Sequence, residues 1–202
     1  MKALLSKAYG TADSLVLEDV VCPTPGNGEI LIDVHMAGVN FPGTLLIEGK
    51  YQIKPPFPFA PRSEAAGVVV TVRAGVSHFH PGDKVIALTE WGCFAEQVVV
   101  QAKNVMPIPA SMEFAGAAGF GVTYGTSMHA LCQRTRLQKG ETLLVLGASR
   151  CGAGCRQDRE GNGGTRHCCR QHQPQETRPT TGSCSRGTRK ASCVHWFHSA
   201  IH

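Results

Sequence analysis

Short apolar runs with a β-strand texture dominate the first hundred positions of the chain. Leu15 to Val20 and Glu29 to His35 are rich in β-branched and large apolar residues, which suits a pleated, half-buried surface. Between them Cys22-Pro23-Thr24-Pro25-Gly26-Asn27-Gly28 cannot sit inside a sheet, because each proline lacks a ladder donor. The pattern therefore predicts strand, turn, strand. Pro55 to Pro61 carries four prolines in seven residues and predicts an extended loop, since each proline biases its predecessor away from helical backbone. Gly67 to Val72 predicts a strand, His80-Pro81-Gly82-Asp83 a turn, and Lys84 to Leu88 and Phe94 to Val100 two further strands. Short strands at this spacing predict a compact, mostly β domain.

The texture changes after Pro107 and Pro109. Ser111 is a candidate helix cap, and Phe114 to Leu131 mixes small and apolar residues in a way that predicts one helix or two short ones. Leu143-Leu144-Val145-Leu146 is a continuous apolar run, the signature of a strand buried on both faces of a parallel sheet. No internal repeat is present.

Beyond Ser149 the pattern stops. From Arg150 to His202 the only Leu, Ile, Val or Phe residues are Val194, Phe197 and Ile201, too few to offset the entropy of ordering the segment. Residues 150–202 are therefore expected to be disordered. Charge divides at the same place: residues 1–149 carry a net charge of −1 and residues 150–202 one of +6, within a total of +5. The basic character belongs to the tail and says nothing of the partners of the body. Cys22, Cys93 and Cys132 lie before the seam, and three widely spaced cysteines suit reduced thiols and a cytoplasmic setting. No run reaches the length of a membrane span, and Met1 to Val20, with Asp13, Glu18 and Asp19, lacks the apolar core of a secretory signal. His167, Cys168, Cys169, His172, Cys184, Cys193, His195 and His198 could be read as metal ligands, but no Cys-x-x-Cys pair exists among the cysteines. The arginines could be read as phosphate contacts, yet aromatic interleaving is limited to Trp196 and Phe197. Neither a metal site nor nucleic-acid binding is expected of the tail.

An apolar strand running directly into Gly147-Ala148-Ser149 reads as a nucleotide-binding βα turn, in which small residues let the backbone approach a pyrophosphate. A plain strand-to-loop corner is the alternative. Several further segments bear on the choice. They are Gly38-Val39-Asn40-Phe41-Pro42, Gly49-Lys50-Tyr51-Gln52 with Pro55-Pro56-Phe57-Pro58-Phe59, and Ser63-Glu64-Ala65-Ala66-Gly67-Val68-Val69. To these add Pro81-Gly82-Asp83-Lys84-Val85, Tyr124-Gly125-Thr126 with His129-Ala130-Leu131, and Lys139-Gly140-Glu141-Thr142. In this order they resemble the zinc-free quinone oxidoreductase branch of the medium-chain dehydrogenase/reductase superfamily, the zeta-crystallin-like enzymes.

The resemblance implies a mostly β GroES-like domain over residues 1–109 and the first helix and strand of an incomplete Rossmann α/β domain over 110–149, followed by the disordered tail at 150–202. It implies hydride transfer from NADPH to a quinone or activated alkene in full-length relatives, with no zinc. Asn40, Phe41 and Tyr51 are implied for the substrate and nicotinamide pocket, and Thr126, Gly147, Ala148 and Ser149 for the cofactor. Asn40 and Ser63 stand where the zinc-binding relatives have Cys and His. Glu64 is then expected to be a hydrogen-bonded structural carboxylate. This chain itself, lacking most of the cofactor domain, is expected not to bind NADPH, to be inactive as written and to have lost the family's dimer contacts. A non-enzymatic GroES-like binding or oligomerisation module is the competing expectation.

Two positions depart from the family pattern. Gly43 replaces a usual Asp beside the active site, and Arg62 replaces a usual Gly, where the backbone favours a glycine conformation. The tail departs throughout. If codons for Cys155 to His172 are read one base later, they can give Ala-Val-Lys-Ile-Gly-Lys-Ala-Met-Gly-Ala-Arg-Val-Ile-Ala-Ala-Ala-Ser-Thr, a helix followed by a strand. An out-of-frame tail beginning near Arg150 is therefore the preferred account.

Overall fold

The computed structural model describes residues 1–136 and three strands beyond them, at 142–146, 166–169 and 188–192. The chain divides into two compact units, Met1–Val122 and Thr123–His202.

In the first unit β1 (Lys2–Leu5) pairs antiparallel with β2 (Val16–Asp19). Lys2 lies opposite Asp19 in the ladder and its Nζ is 3.4 Å from the Asp19 carboxylate. The main sheet contains β3 (Glu29–Ala37), β4 (Glu64–Val72), β5 (Lys84–Leu88), β6 (Gln97–Gln101) and β7 (Val105–Pro107), in the order β6-β3-β4-β5-β7, all antiparallel. Alternation along the strands sends Ile30, Ile32, Val69, Val85, Ala87, Val98, Val100 and Val105 into one core, as a period of two requires. The other side of β4 and β5 presents Ala66 and Ile86, on which α2 (Phe114–Ala117) closes with Ala117 and Ala118 fully packed. That packing explains why the first compact unit runs to Val122.

The predicted strands at 29–35, 67–72 and 84–88 lie within β3, β4 and β5, and His80 to Asp83 turns as expected, with Asp83 N–H donating to the His80 carbonyl at 3.1 Å. Several elements differ. The strand expected to start at Phe94 starts at Gln97, because Phe94 and Ala95 instead bridge β1 through Leu4 N–H to Phe94 O and the Ala3–Ala95 pair. The candidate cap Ser111 does not cap: Glu113 holds the position before α2. α1 (Phe41–Ile47), β1 and β7 are additional to the predicted elements. α1 escapes a periodicity reading because Pro42 and Gly43 occupy its first turn, where proline is tolerated since the first N–H groups have no intrahelical partner.

The second unit begins within α3 (Gly121–Met128), which continues as a π-helical turn over His129–Arg134. Thr135 Oγ1 closes that turn by donating to the carbonyls of Ala130 at 3.0 Å and Leu131 at 2.9 Å. β8 (Thr142–Leu146) is the predicted apolar strand, and β9 (Arg166–Cys169) and β10 (Thr188–Ser192) flank it in parallel. Both flanking strands fall in the segment read from sequence as disordered. Ladder bonds need only backbone donors and acceptors, so an apolar strand such as β8 recruits them without an apolar face of their own. The rest of that segment lies outside the described residues.

Among the described residues no helix is long and apolar enough to cross a membrane.

Candidate functional site

The site is assembled where β3 ends, α1 begins and β4 starts. Asn40 sits at the N-cap of α1 in extended conformation (φ −122°, ψ 153°) yet makes no side-chain cap hydrogen bond. Its amide is used elsewhere: Nδ2 donates to Glu64 Oε1 at 2.5 Å. Glu64, the first residue of β4, is 0% exposed, and its second oxygen accepts the backbone N–H of Val122 at 2.8 Å. A buried carboxylate is tolerated only when its lone pairs are met, and here Asn40 and Val122 meet them. The carboxylate thereby ties three chain segments together within the first unit. Because the amide turns its NH₂ to an acceptor, Oδ1 of Asn40 faces the other way.

The backbone closes round the same group. Gly38 N–H donates to the Glu64 carbonyl at 2.9 Å. A Cβ at Gly38 would lie 2.5 Å from the Glu64 side chain and 2.3 Å from Ala118 O, so only glycine fits there.

Phe41, at the first turn of α1, is 73% exposed. Tyr51 follows the other end of the helix, where Lys50 and Tyr51 N–H groups donate to Leu45 O at 2.8 and 3.2 Å. The Tyr51 ring is half-buried, and burial pushes its phenol above the ordinary value. α1 therefore separates Asn40 and Phe41 from Tyr51 by about 10 Å along its axis. Thr126 belongs to the second unit, half-buried on α3. Gly147, Ala148 and Ser149 lie outside the described residues.

The two departures noted in the sequence meet in space. Arg62 adopts φ +78°, the left-handed region that suits glycine, at a cost of about 1 kcal/mol or more. The conformation is held because Arg62 O accepts Cys93 N–H at 3.1 Å while Pro61 O accepts Phe94 N–H at 3.1 Å. Only 8% of Arg62 is exposed. Its Nη1 donates to Asn40 O at 2.8 Å and its guanidinium lies 5.1 Å from the centre of the Phe94 ring. A Cβ at Gly43 would stand 2.2 Å from Nη1. Gly43 is what leaves room for the guanidinium. Sequence reading singled out both residues but had no signal for their contact, since they lie on different segments. Burial holds the Arg62 pKa below the ordinary arginine value.

Behind Arg62, Cys93 is 1% exposed with its Sγ 3.5 Å from Thr89 Oγ1. Burial pushes the thiol up to about 12, the Glu64 charge adds to the rise, and the Thr89 hydrogen bond opposes it. Native chain treated with iodoacetamide near pH 8 is accordingly expected to be modified at the exposed Cys22 and Cys132 and spared at Cys93. Peptide mass mapping reads each site separately; labelling of Cys93 at the rate of Cys22 would contradict the packing. The linkage sign follows: folding holds this proton, so the contribution is complete below about pH 9 and is lost as pH rises toward 12.

Among the described residues no group of three or more His, Cys, Asp or Glu side chains is placed to hold a metal ion.

Comparisons with known proteins identify the family of the N-terminal part. The Alcohol dehydrogenase GroES-like domain family matches residues 26–110. The chain is 42% identical over 130 residues to Quinone oxidoreductase-like protein 2 of Rattus norvegicus, a match covering 64% of this chain and 37% of that protein. It is 37% identical over 151 residues to Quinone oxidoreductase of Rattus norvegicus, covering 74% of this chain and 46% of that one. The chain thus spans less than half the length of these relatives. Among solved structures, mycobacterial Rv1454c complexed with NADPH superposes with a TM-score of 0.75 at 27% identity, over 83% of this chain and 52% of that one. By its GroES-like domain and these relatives, the N-terminal part of this chain belongs to the medium-chain dehydrogenase/reductase superfamily, in its quinone oxidoreductase-like group.

Proposed function

We propose that residues 1–122 are the substrate-side half of an NADPH-dependent quinone reductase, and that the chain as written does not complete the cofactor side. The observation that carries this reading is the Glu64 carboxylate fixing Asn40 at the mouth of α1, beside an exposed Phe41. NADPH, when bound, supplies a hydride. The chain's own contribution is orientation: Asn40 Oδ1 and the Phe41 ring offer one polar and one apolar contact to a planar acceptor, with Tyr51 beyond the far end of α1. Thr126 and Gly147, Ala148 and Ser149 are the residues this reading assigns to the cofactor. The acceptor is a quinone or activated alkene, the setting is cytoplasmic, and no nucleic acid or membrane takes part.

The out-of-frame account of the tail belongs to the same proposal. The shifted reading places Val-Ile-Ala-Ala over Arg166–Cys169, the positions of β9, which supports a strand of the cofactor domain having stood there. The match of the GroES-like domain family to residues 26–110 supports a second reading, a non-enzymatic GroES-like module that binds or oligomerises.

Adding 9,10-phenanthrenequinone to ¹⁵N-labelled chain separates the two. The enzyme-derived reading expects saturable shifts of the amides of Asn40, Phe41 and Tyr51; unmoved resonances there would leave the non-enzymatic reading. Zinc offers a second check. With Asn40 and Ser63 at the ligand positions, elemental analysis of chain cut back to Arg136 should find no stoichiometric zinc, and one zinc per chain would contradict the assignment.

A further inference from the structure

Arg62 is a costly residue where it stands. Its backbone is left-handed at φ +78°, its cation is withdrawn from water with only 8% of the residue exposed, and its Nε is enclosed without a hydrogen-bond partner. Each of these opposes folding. Space alone could be filled by an apolar side chain of similar length, with no orphaned donor and no buried charge. Backbone strain of this kind concentrates at functional sites, which directs attention to what the side chain holds.

It holds Asn40. The carbonyls of Ala60, Pro61, Arg62 and Ser63 accept the N–H groups of Gly92, Phe94, Cys93 and Thr89 at 2.8, 3.1, 3.1 and 2.8 Å, which fixes the base of the side chain against that loop. From this base Nη1 reaches Asn40 O at 2.8 Å, the carbonyl that also accepts Gly43 N–H at 3.1 Å in the first turn of α1. Glu64, two residues further on, holds the same asparagine by its side-chain amide. Asn40 is thus gripped at both ends from the chain entering β4: Glu64 sets the amide, and Arg62 sets the peptide plane that leads into Phe41. The guanidinium keeps its place beside the Phe94 ring, 5.1 Å from its centre, and over Gly43, where a Cβ would lie 2.2 Å from Nη1 and 3.0 Å from Cδ and Cζ. Gly43 belongs to the same device, because a side chain there drives the guanidinium off Asn40 O.

We propose that Arg62, given room by Gly43, is a positioning residue for the acceptor site: it touches no acceptor itself and orders Asn40 and Phe41 in advance for one. The inference rests on the reading of Asn40 and Phe41 as acceptor contacts. Fixing two side chains before binding removes an ordering cost that association otherwise meets, a factor of about fivefold or more in affinity. The 202-residue chain and its variants are titrated with 9,10-phenanthrenequinone, the Asn40 and Phe41 amides being followed by ¹⁵N-edited NMR and stability by the urea midpoint. Arg62→Met keeps the bulk and drops the donor; affinity should fall about fivefold or more, with a midpoint within about 0.5 M of the parent. Arg62→Lys returns one donor for Asn40 O and should recover affinity to within about twofold of the parent. Gly43→Ala should lose affinity as Arg62→Met does, although alanine is the better helix former, and the double variant should lose no more than either alone. Without ligand, the Phe41 amide order parameter should fall from about 0.85 toward about 0.6 in Arg62→Met. If the parent binds the quinone and Arg62→Met and Gly43→Ala bind it equally well, whatever their midpoints, Arg62 is merely structural; the inference is overturned and the acceptor reading stands. If the parent's Asn40 and Phe41 amides do not move, the acceptor reading is overturned and this inference with it. Should Arg62→Met fail to fold, Gly43→Ala decides the matter, since it breaks the same bond with Arg62 in place.

Discussion

Replacing Glu64 by Ala is expected to destabilise the first unit by about 3–5 kcal/mol. The carboxylate is fully buried and satisfies Asn40 Nδ2 and Val122 N–H. Truncation strands both donors, each costing about 1–3 kcal/mol when left buried and unpaired, and adds a cavity against Gly38 and Ala118. Glu64→Gln keeps the volume but must turn its NH₂ toward one of two donors, so about half that loss is expected. Asn40→Ala should cost less again, because Glu64 keeps the Val122 bond. Urea unfolding followed by tryptophan fluorescence reads the order Ala, then Gln, then Asn40→Ala. With a slope of about 1–2 kcal/mol per molar for a unit of this size, Glu64→Ala should lower the midpoint by about 2 M or more. A shift under about 0.5 M would mean that the carboxylate does not hold the three segments together.

The sheet was legible where alternation was strong. Ile30 and Ile32, or Val98 and Val100, fall two apart and face one core, and that period survives any detail of tertiary context. α1 was not legible, because Pro42 and Gly43 occupy its first turn and seven residues are too few to show a helical period. Asn40 could be placed by motif, yet its partner could not be inferred from local pattern: the Val122 N–H that completes the site lies 58 residues from Glu64. The contact between Arg62 and Gly43 was hidden for the same reason, although both residues had been marked as departures and the left-handed backbone expected at Arg62 is what the structure has. β9 and β10 were hidden differently. Their side chains carry no apolar pattern, and only pairing to β8 defines them.

The second large effect concerns the cofactor. NADPH binding in this fold uses a glycine turn, the amide-bearing start of the following helix, and later strands that hold the adenosine ribose and its 2′-phosphate. After Gly147-Ala148-Ser149 the sequence supplies Arg150, Cys151 and a run of polar residues with no helical apolar face. On the proposed reading, Thr126 and the strand Thr142–Leu146 are what the chain keeps of the nicotinamide end. Each missing contact group also removes energy that would hold the ring in hydride-transfer geometry. Affinity weaker than about 1 mM is therefore expected, with no NADPH-dependent reduction of quinones.

The most direct measurement is a paired titration of NADPH fluorescence. One sample is the 202-residue chain; the other has every residue after Ser149 replaced by the one-base-shifted reading of the tail and its in-frame continuation. The account predicts a saturable change for the shifted chain and a linear, non-saturating response for the chain as written. Saturable binding by the chain as written would contradict it, and so would two non-saturating curves from folded samples.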